Sequence, residues 1–176
     1  SLELIMSEPK RCSGTMTESQ WLAWVRSALR SKWLRWKPRS DALKAAQVAY
    51  KGENKRRQYS YKCAICSELF AQKEVEVDHY PRDAGSILSV DDIGSFCNNL
   101  FCEIDNLRVL CRNCHATYTL SRRMSISFEE AKVIKEALAF IKNSSKKEIL
   151  AFLQQHGYNG ASVSNATKRR QLVIEL

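Results

Sequence analysis

The chain has 176 residues and a net charge of +9. At roughly 100–200 residues per domain, this length excludes a large multi-domain enzyme and leaves a small domain with helical extensions. Apolar residues at 44% and charged residues at 27% match ordinary globular usage and exclude a chain that is disordered throughout. No run approaches the ~18 apolar residues needed to cross a bilayer, and the first residues carry an acid where a leader would be basic. A soluble, cytoplasmic protein with no membrane partner is therefore expected.

The charge is unevenly spread. Residues 1–62 hold 14 Lys/Arg against 5 Asp/Glu, residues 63–119 hold 4 against 9, and residues 120–176 hold 10 against 5. Basic flanks suit a polyanion, and an acidic middle suits a bound cation. Solvated faces with a chance asymmetry would give the same sums.

Residues 1–16 read as a flexible N-terminus, and residues 17–62 as a basic, Trp-rich helical extension. Its first helix starts at the capping box Thr17-Glu18-Ser19-Gln20 and carries Trp21, Leu22, Val25, Leu29, Trp33 and Trp36 at three- and four-residue steps. The tryptophans read as core packing. Pro38 is expected to stop this helix, and a second to run from Asp41 to Tyr50 with Ser40 as cap and Gly52 as terminator. The segment Asn54–Lys62 is basic with interleaved tyrosines. Its Lys55, Arg56 and Arg57 suit phosphate contact, although a solvated linker has the same composition.

The cysteines carry more information. Seven of them in a chain expected to be cytoplasmic argue for metal rather than disulfides. Cys63-x-x-Cys66 and Cys111-x-x-Cys114 are identically spaced doublets, which together make one tetrahedral zinc site. Their 44 intervening residues exceed the roughly 15–20 of a compact ribbon, so the insertion is a loop closed by the metal. Cys12, Cys97 and Cys102 read as buried or free thiols.

Within the insertion, Glu74–His79 alternates polar and apolar residues as a half-buried strand does, and Pro81 ends it. Arg82–Asp105, rich in Asp, Gly, Ser and Asn, reads as a long surface loop with at most one helical turn. Asn106–Leu110 is a second short strand, and Cys111–Thr119 a knuckle running into a helix that has His115 at its start. The zinc would thus bring Asp78, His79, Asn106 and His115 into one neighbourhood. In residues 124–176, one helix runs from Phe128 to Ile141 with Ser127 before it. Another follows the box Ser145-Lys146-Lys147-Glu148 and ends at Gly157, and a last one opens at Lys168. This final hairpin resembles the SAP DNA-binding motif apart from a longer loop. A DNA-gripping tail and a dimerising or core-covering hairpin both remain open.

The blocks Cys63-x-x-Cys66, Val77-Asp78-His79-Tyr80-Pro81 and Asn106-Leu107-x-x-Leu110-Cys111-x-x-Cys114-His115, in this order, resemble the HNH endonuclease family in its four-cysteine form. The basic N-terminal segment resembles that of phage-encoded members, which implies a host cytoplasm. The resemblance covers residues 63–119 and implies an α+β chain: a small ββα-metal core over 63–123, braced by zinc and flanked by N-terminal and C-terminal helices. It further implies an endodeoxyribonuclease acting on double-stranded DNA. His79 would be the general base, Asn106 would orient its ring, and Asp78 and His115 would hold a catalytic Mg²⁺ or Mn²⁺ separate from the structural Zn²⁺. Where some members carry a further His, this chain has Thr119, which favours an ion that prefers oxygen ligands. Where a Lys-Thr pair is common, it has Tyr118-Thr119, so Arg108, Arg112 or the pair Arg122-Arg123 would take over the phosphate contact. Two other readings fit the sequence: a zinc-braced nucleic-acid-binding module that cuts nothing, and an RNA-directed nuclease. Monomer and homodimer are equally open.

Overall fold

The computed structural model describes residues 9–176. The part of the flexible N-terminus expected over residues 1–8 lies outside them. Residues 9–16 differ from that expectation, because β1 (Pro9–Arg11) pairs antiparallel with β2 (Met16–Thr17). Helix α1 (Glu18–Trp33) then starts on the Thr17 capping box, with the Thr17 hydroxyl accepting from the Gln20 N–H and the Gln20 side-chain Oε1 from the Thr17 N–H. Pro38 initiates rather than terminates. Helix α2 (Lys37–Ala45) holds it in its first turn, where the missing N–H costs nothing and the fixed φ is already helical. The helix expected to reach Tyr50 ends at Ala45 instead, since β3 (Gln47–Ala49) is captured by β4 (Tyr59–Lys62). A short β5 (Leu69–Phe70) completes a three-stranded antiparallel sheet with β4 at its centre.

A 3-10 turn over Gln72–Glu74 leads into β6 (Val75–His79). The expected surface loop contains helix α3 (Asp92–Leu100), whose Phe96 and Leu100 are 1% and 0% exposed. After a second 3-10 turn (Ile104–Asn106), β7 (Leu107–Cys111) pairs antiparallel with β6, setting Asp78 opposite Arg108 and His79 opposite Leu107. Helix α4 (Arg112–Met124) follows directly. Strand, strand and helix thus occur in the order expected.

The chain divides into two compact units between Arg112 and Asn113. In the first, one core gathers Leu22, Ala84, Ile87, Phe96 and Leu100, and a second gathers Ala42, Tyr61, Val75, Val77 and Val109. Trp33 packs against both, and Leu22, Ala42 and Tyr61 place parts of residues 17–62 in these cores. In the second unit, α5 (Phe128–Asn143) and α6 (Lys146–Gln155) begin on the capping boxes of Ser127 and Ser145. A 3-10 turn (Gly160–Val163) precedes α7 (Ala166–Glu175), which starts two residues before Lys168 because Asn165 caps it. Ile149, Leu153, Val163 and Val173 form this unit's core. Among the described residues, no helix is long and apolar enough to cross a membrane.

Candidate metal centre and the strand-end histidine

The two cysteine doublets converge. Cys63 leaves β4, Cys111 ends β7 and Cys114 lies in the first turn of α4. The Sγ atoms of Cys63, Cys66, Cys111 and Cys114 all lie within 4.8 Å of one another, and all but Cys66 are buried. A tetrahedral site with Zn–S bonds of about 2.3 Å needs S···S separations of about 3.8 Å, so a small contraction closes the cluster on an ion.

The backbone prepares the first knuckle. The Ala64 N–H donates to the Val109 carbonyl at 2.8 Å, and the Cys63 and Ser67 N–H groups close a turn onto Glu68 and Cys63 at 3.0 Å each. The Cys111 N–H donates to the Cys63 Sγ at 3.3 Å. Burial alone would push the Cys63 thiol up. Backbone N–H donors from Cys111, Cys66 and Ile65, together with the Cys66 side chain, outweigh it and bring the value from 9.0 to about 7. Thiolates are the species that ligate zinc, so the donor set fits a structural Zn²⁺ by chemistry as well as spacing. Cys12, Cys97 and Cys102 stand outside the cluster. Burial pushes the Cys102 thiol up.

His79 ends β6 with its side chain on the same face as Val75 and Val77, and it is 8% exposed. Its Nε2 lies 3.0 Å from the Leu100 carbonyl, and the Trp33 ring lies 4.8 Å away, tilted by 30°. A carbonyl can only accept, so Nε2 carries the proton and Nδ1 keeps its lone pair in the neutral ring. Among the described residues Nδ1 has no hydrogen-bond partner.

The His79 ring is thus held by the Leu100 carbonyl and the Trp33 face. Asn106 acts through its backbone, its carbonyl accepting from the Tyr80 N–H at 2.9 Å and so fixing the residue after His79. Its exposed side chain lines an open pocket with Pro81, Arg82, Asn98, Asn99 and Cys102. Neither Leu100 nor Trp33 was indicated by the sequence as part of this site. A backbone carbonyl leaves no residue-type signature, and Trp33 lies on a stripe whose periodicity signals core.

Asp78 forms a cross-strand ion pair with Arg108. Arg108 Nε donates to Asp78 Oδ2 at 3.0 Å and Nη2 lies 3.0 Å from the same oxygen, with the Arg108 and Asp78 side chains 16% and 11% exposed. The Arg108 guanidinium also stacks 4.2 Å from the Tyr80 ring centroid. His115 is half-buried in the first turn of α4, directly after a cluster cysteine. Of the other basic residues expected at phosphate, Lys55, Arg56, Arg112, Arg122 and Arg123 are exposed. Arg57 is held by the Tyr59 carbonyl, Ser60 Oγ and the Tyr50 ring.

Comparison with protein-family models, curated proteins and solved structures finds no match to this chain. The site and fold define the class directly: a mixed α+β protein with a four-cysteine cluster that could hold a structural metal such as zinc.

Proposed function

We propose that the protein is a metal-dependent endonuclease of the HNH type that hydrolyses DNA phosphodiesters. The observation that carries this reading is the state of His79. The imidazole, held by the Leu100 carbonyl on Nε2 and with no Nδ1 partner among the described residues, ends a strand whose paired strand terminates in a cluster cysteine. Such a ring has a fixed direction, and an imidazole is the side chain most often used to move a proton in catalysis. In the proposed reaction His79 Nδ1 takes a proton from water, the water oxygen bonds to phosphorus, and the P–O3′ bond breaks. The products are a 5′-phosphate and a 3′-hydroxyl that regains a proton from solvent. Asp78 and His115 are the residues that would hold the catalytic Mg²⁺ or Mn²⁺, which when bound would supply positive charge against the developing phosphorane. The cysteine cluster would hold Zn²⁺ as a brace.

A non-catalytic nucleic-acid-binding module is the second reading, favoured by the Asp78–Arg108 ion pair, which already neutralises one proposed ligand. Incubation with supercoiled plasmid and Mg²⁺ or Mn²⁺ separates the two. The endonuclease nicks, and His79→Ala lowers nicking by about 10²–10⁴-fold while DNA affinity persists. Binding without nicking in the wild type as in the variant establishes the module.

A further inference from the structure

A pocket of about 390 Å³ opens beside β4, away from the cysteines and His79, and is lined by Arg56, Arg57, Gln58, Tyr59, Tyr61 and Gln72 among others. Its chemistry is specific. Tyr59 is 48% exposed, lies beyond the residues of β4 that pair with β5, and sits opposite the small Ala49. Two positions on, Tyr61 is buried on the same strand face, with its hydroxyl accepting from Gln47 Nε2 at 3.2 Å. One aromatic thus forms the wall and the other an uncovered platform.

Arg57 is set in advance. Nε donates to the Tyr59 carbonyl at 3.1 Å, Nη2 donates to Ser60 Oγ at 2.9 Å, and the guanidinium lies 4.4 Å from the Tyr50 ring centroid. A guanidinium has five N–H donors, so three remain for a ligand. The side chains of Arg56, Gln58 and Gln72 have no hydrogen-bond partner among the described residues. A fixed cation, a second mobile cation, an open ring face and two unpaired amides are the complement of one nucleotide: phosphate, base face and base edge.

We infer that this pocket takes an unpaired base of a single-stranded nucleic acid, stacked on Tyr59 and read at its edge by Gln58 and Gln72, with Arg56 and Arg57 on the adjoining phosphates. A base inside a duplex presents no free face to a ring, so the ligand is a single strand or the single-stranded part of a junction. The placement also bears on the proposed reaction and in that respect rests on it. Gln72 opens the turn that leads into β6, and β6 ends at His79. The four steps from Val75 to His79 cover about 13 Å at roughly 3.3 Å per residue, which sets the unpaired base a few nucleotides from the cut.

The test is equilibrium binding by fluorescence anisotropy, with labelled 15-nucleotide DNA and RNA single strands of one sequence and the corresponding DNA duplex. Tyr59→Ala weakens single-strand binding about tenfold and leaves duplex affinity within twofold. Tyr59→Phe retains wild-type affinity, and Gln72→Ala, which takes no part in the strand pairing of β4, weakens single-strand binding in the same direction. A loss with either sugar supports the base site. Unchanged single-strand affinity in both Tyr59→Ala and Gln72→Ala, or an equal loss on duplex, overturns it. Because the readout is binding, failure of the plasmid to be nicked would remove the nuclease reading and leave this result standing.

Discussion

Removing the metal from the four-cysteine cluster tests the architecture at its most connected point. Cys63 and Cys111 are 48 residues apart in sequence, so a shared ion closes a loop of that size. Treated as a cross-link, such a closure removes about 4 kcal/mol of unfolded-state entropy. This is a lower bound on the metal's contribution, since structural zinc binds peptides with about 10–16 kcal/mol. The closure alone is a large part of the 5–15 kcal/mol that typically separates folded from unfolded chains. At about 2–4 °C per kcal/mol for a chain of this size, stripping the ion lowers the melting temperature by at least about 8 °C. The purified protein should carry one zinc per chain by mass spectrometric metal analysis. A strong chelator at neutral pH should lower the calorimetric melting temperature by that amount, and Cys114→Ser should match the chelated wild type while showing no further response to chelator. A protein that purifies without zinc, or melts at the same temperature with and without chelator, would refute the brace.

Two further outcomes follow from the site and the helix caps. Asn106→Ala preserves both the carbonyl bond to Tyr80 and the Leu100 bond to the His79 ring, so cleavage in the plasmid assay should fall less than tenfold. A loss as large as that of His79→Ala would restore a side-chain role for Asn106. The carboxylates of Glu130 and Glu148 are held below their ordinary 4.5 by the Ser127 and Ser145 hydroxyls and then by the backbone N–H groups of the same residues. A lowered carboxylate pKa contributes stability that is present above 4.5 and lost as pH falls through the folded value. The helical circular dichroism signal should therefore weaken on acidification below 4.5. Glu130→Gln with Glu148→Gln should flatten that loss, and an unchanged acid limb would contradict the assignment.

What was legible in the sequence is what local chemistry fixes. The caps at Thr17, Ser127 and Ser145 need only residues three apart, and the doublets Cys63/Cys66 and Cys111/Cys114 announce a candidate ligand set by spacing. The strands β6 and β7 show through alternation bounded by Pro81 and by the second doublet. Helix α3 was hidden because Gly94, Ser95, Asn98 and Asn99 have weak helix propensity. It forms because Ile93, Phe96 and Leu100 share a face that packs with Leu22 of α1, a contact that propensity over a short window does not register. Pro38 misled for a related reason, since proline looks the same at the end of one helix and in the first turn of the next. The Asp78–Arg108 pair depends on a register spanning 30 residues, and the Leu100 carbonyl at His79 on the course of α3 itself.

That ion pair bears most directly on the proposed catalysis, because the same carboxylate is asked to serve a cation inside the protein and a cation from solution. Asp78 Oδ2 accepts from Arg108 Nε and lies 3.0 Å from Nη2, so a divalent ion at Asp78 works against a fixed positive charge. Arg108→Ala removes that charge with two consequences of opposite sign. Stability falls by about 3 kcal/mol, the cost of taking the guanidinium from a largely buried ion pair, read as a lower urea midpoint in the absence of divalent ions. The Mg²⁺ concentration for half-maximal nicking also falls, because the guanidinium charge no longer opposes the ion. Added Mg²⁺ should then restore part of the lost stability in Arg108→Ala and little in the wild type, since only an ion that binds the folded form shifts the equilibrium. A variant that is less stable yet needs as much Mg²⁺ as before, or more, would show that Asp78 serves Arg108 alone. The metal would then have to be sought among other carboxylates of the acidic middle segment.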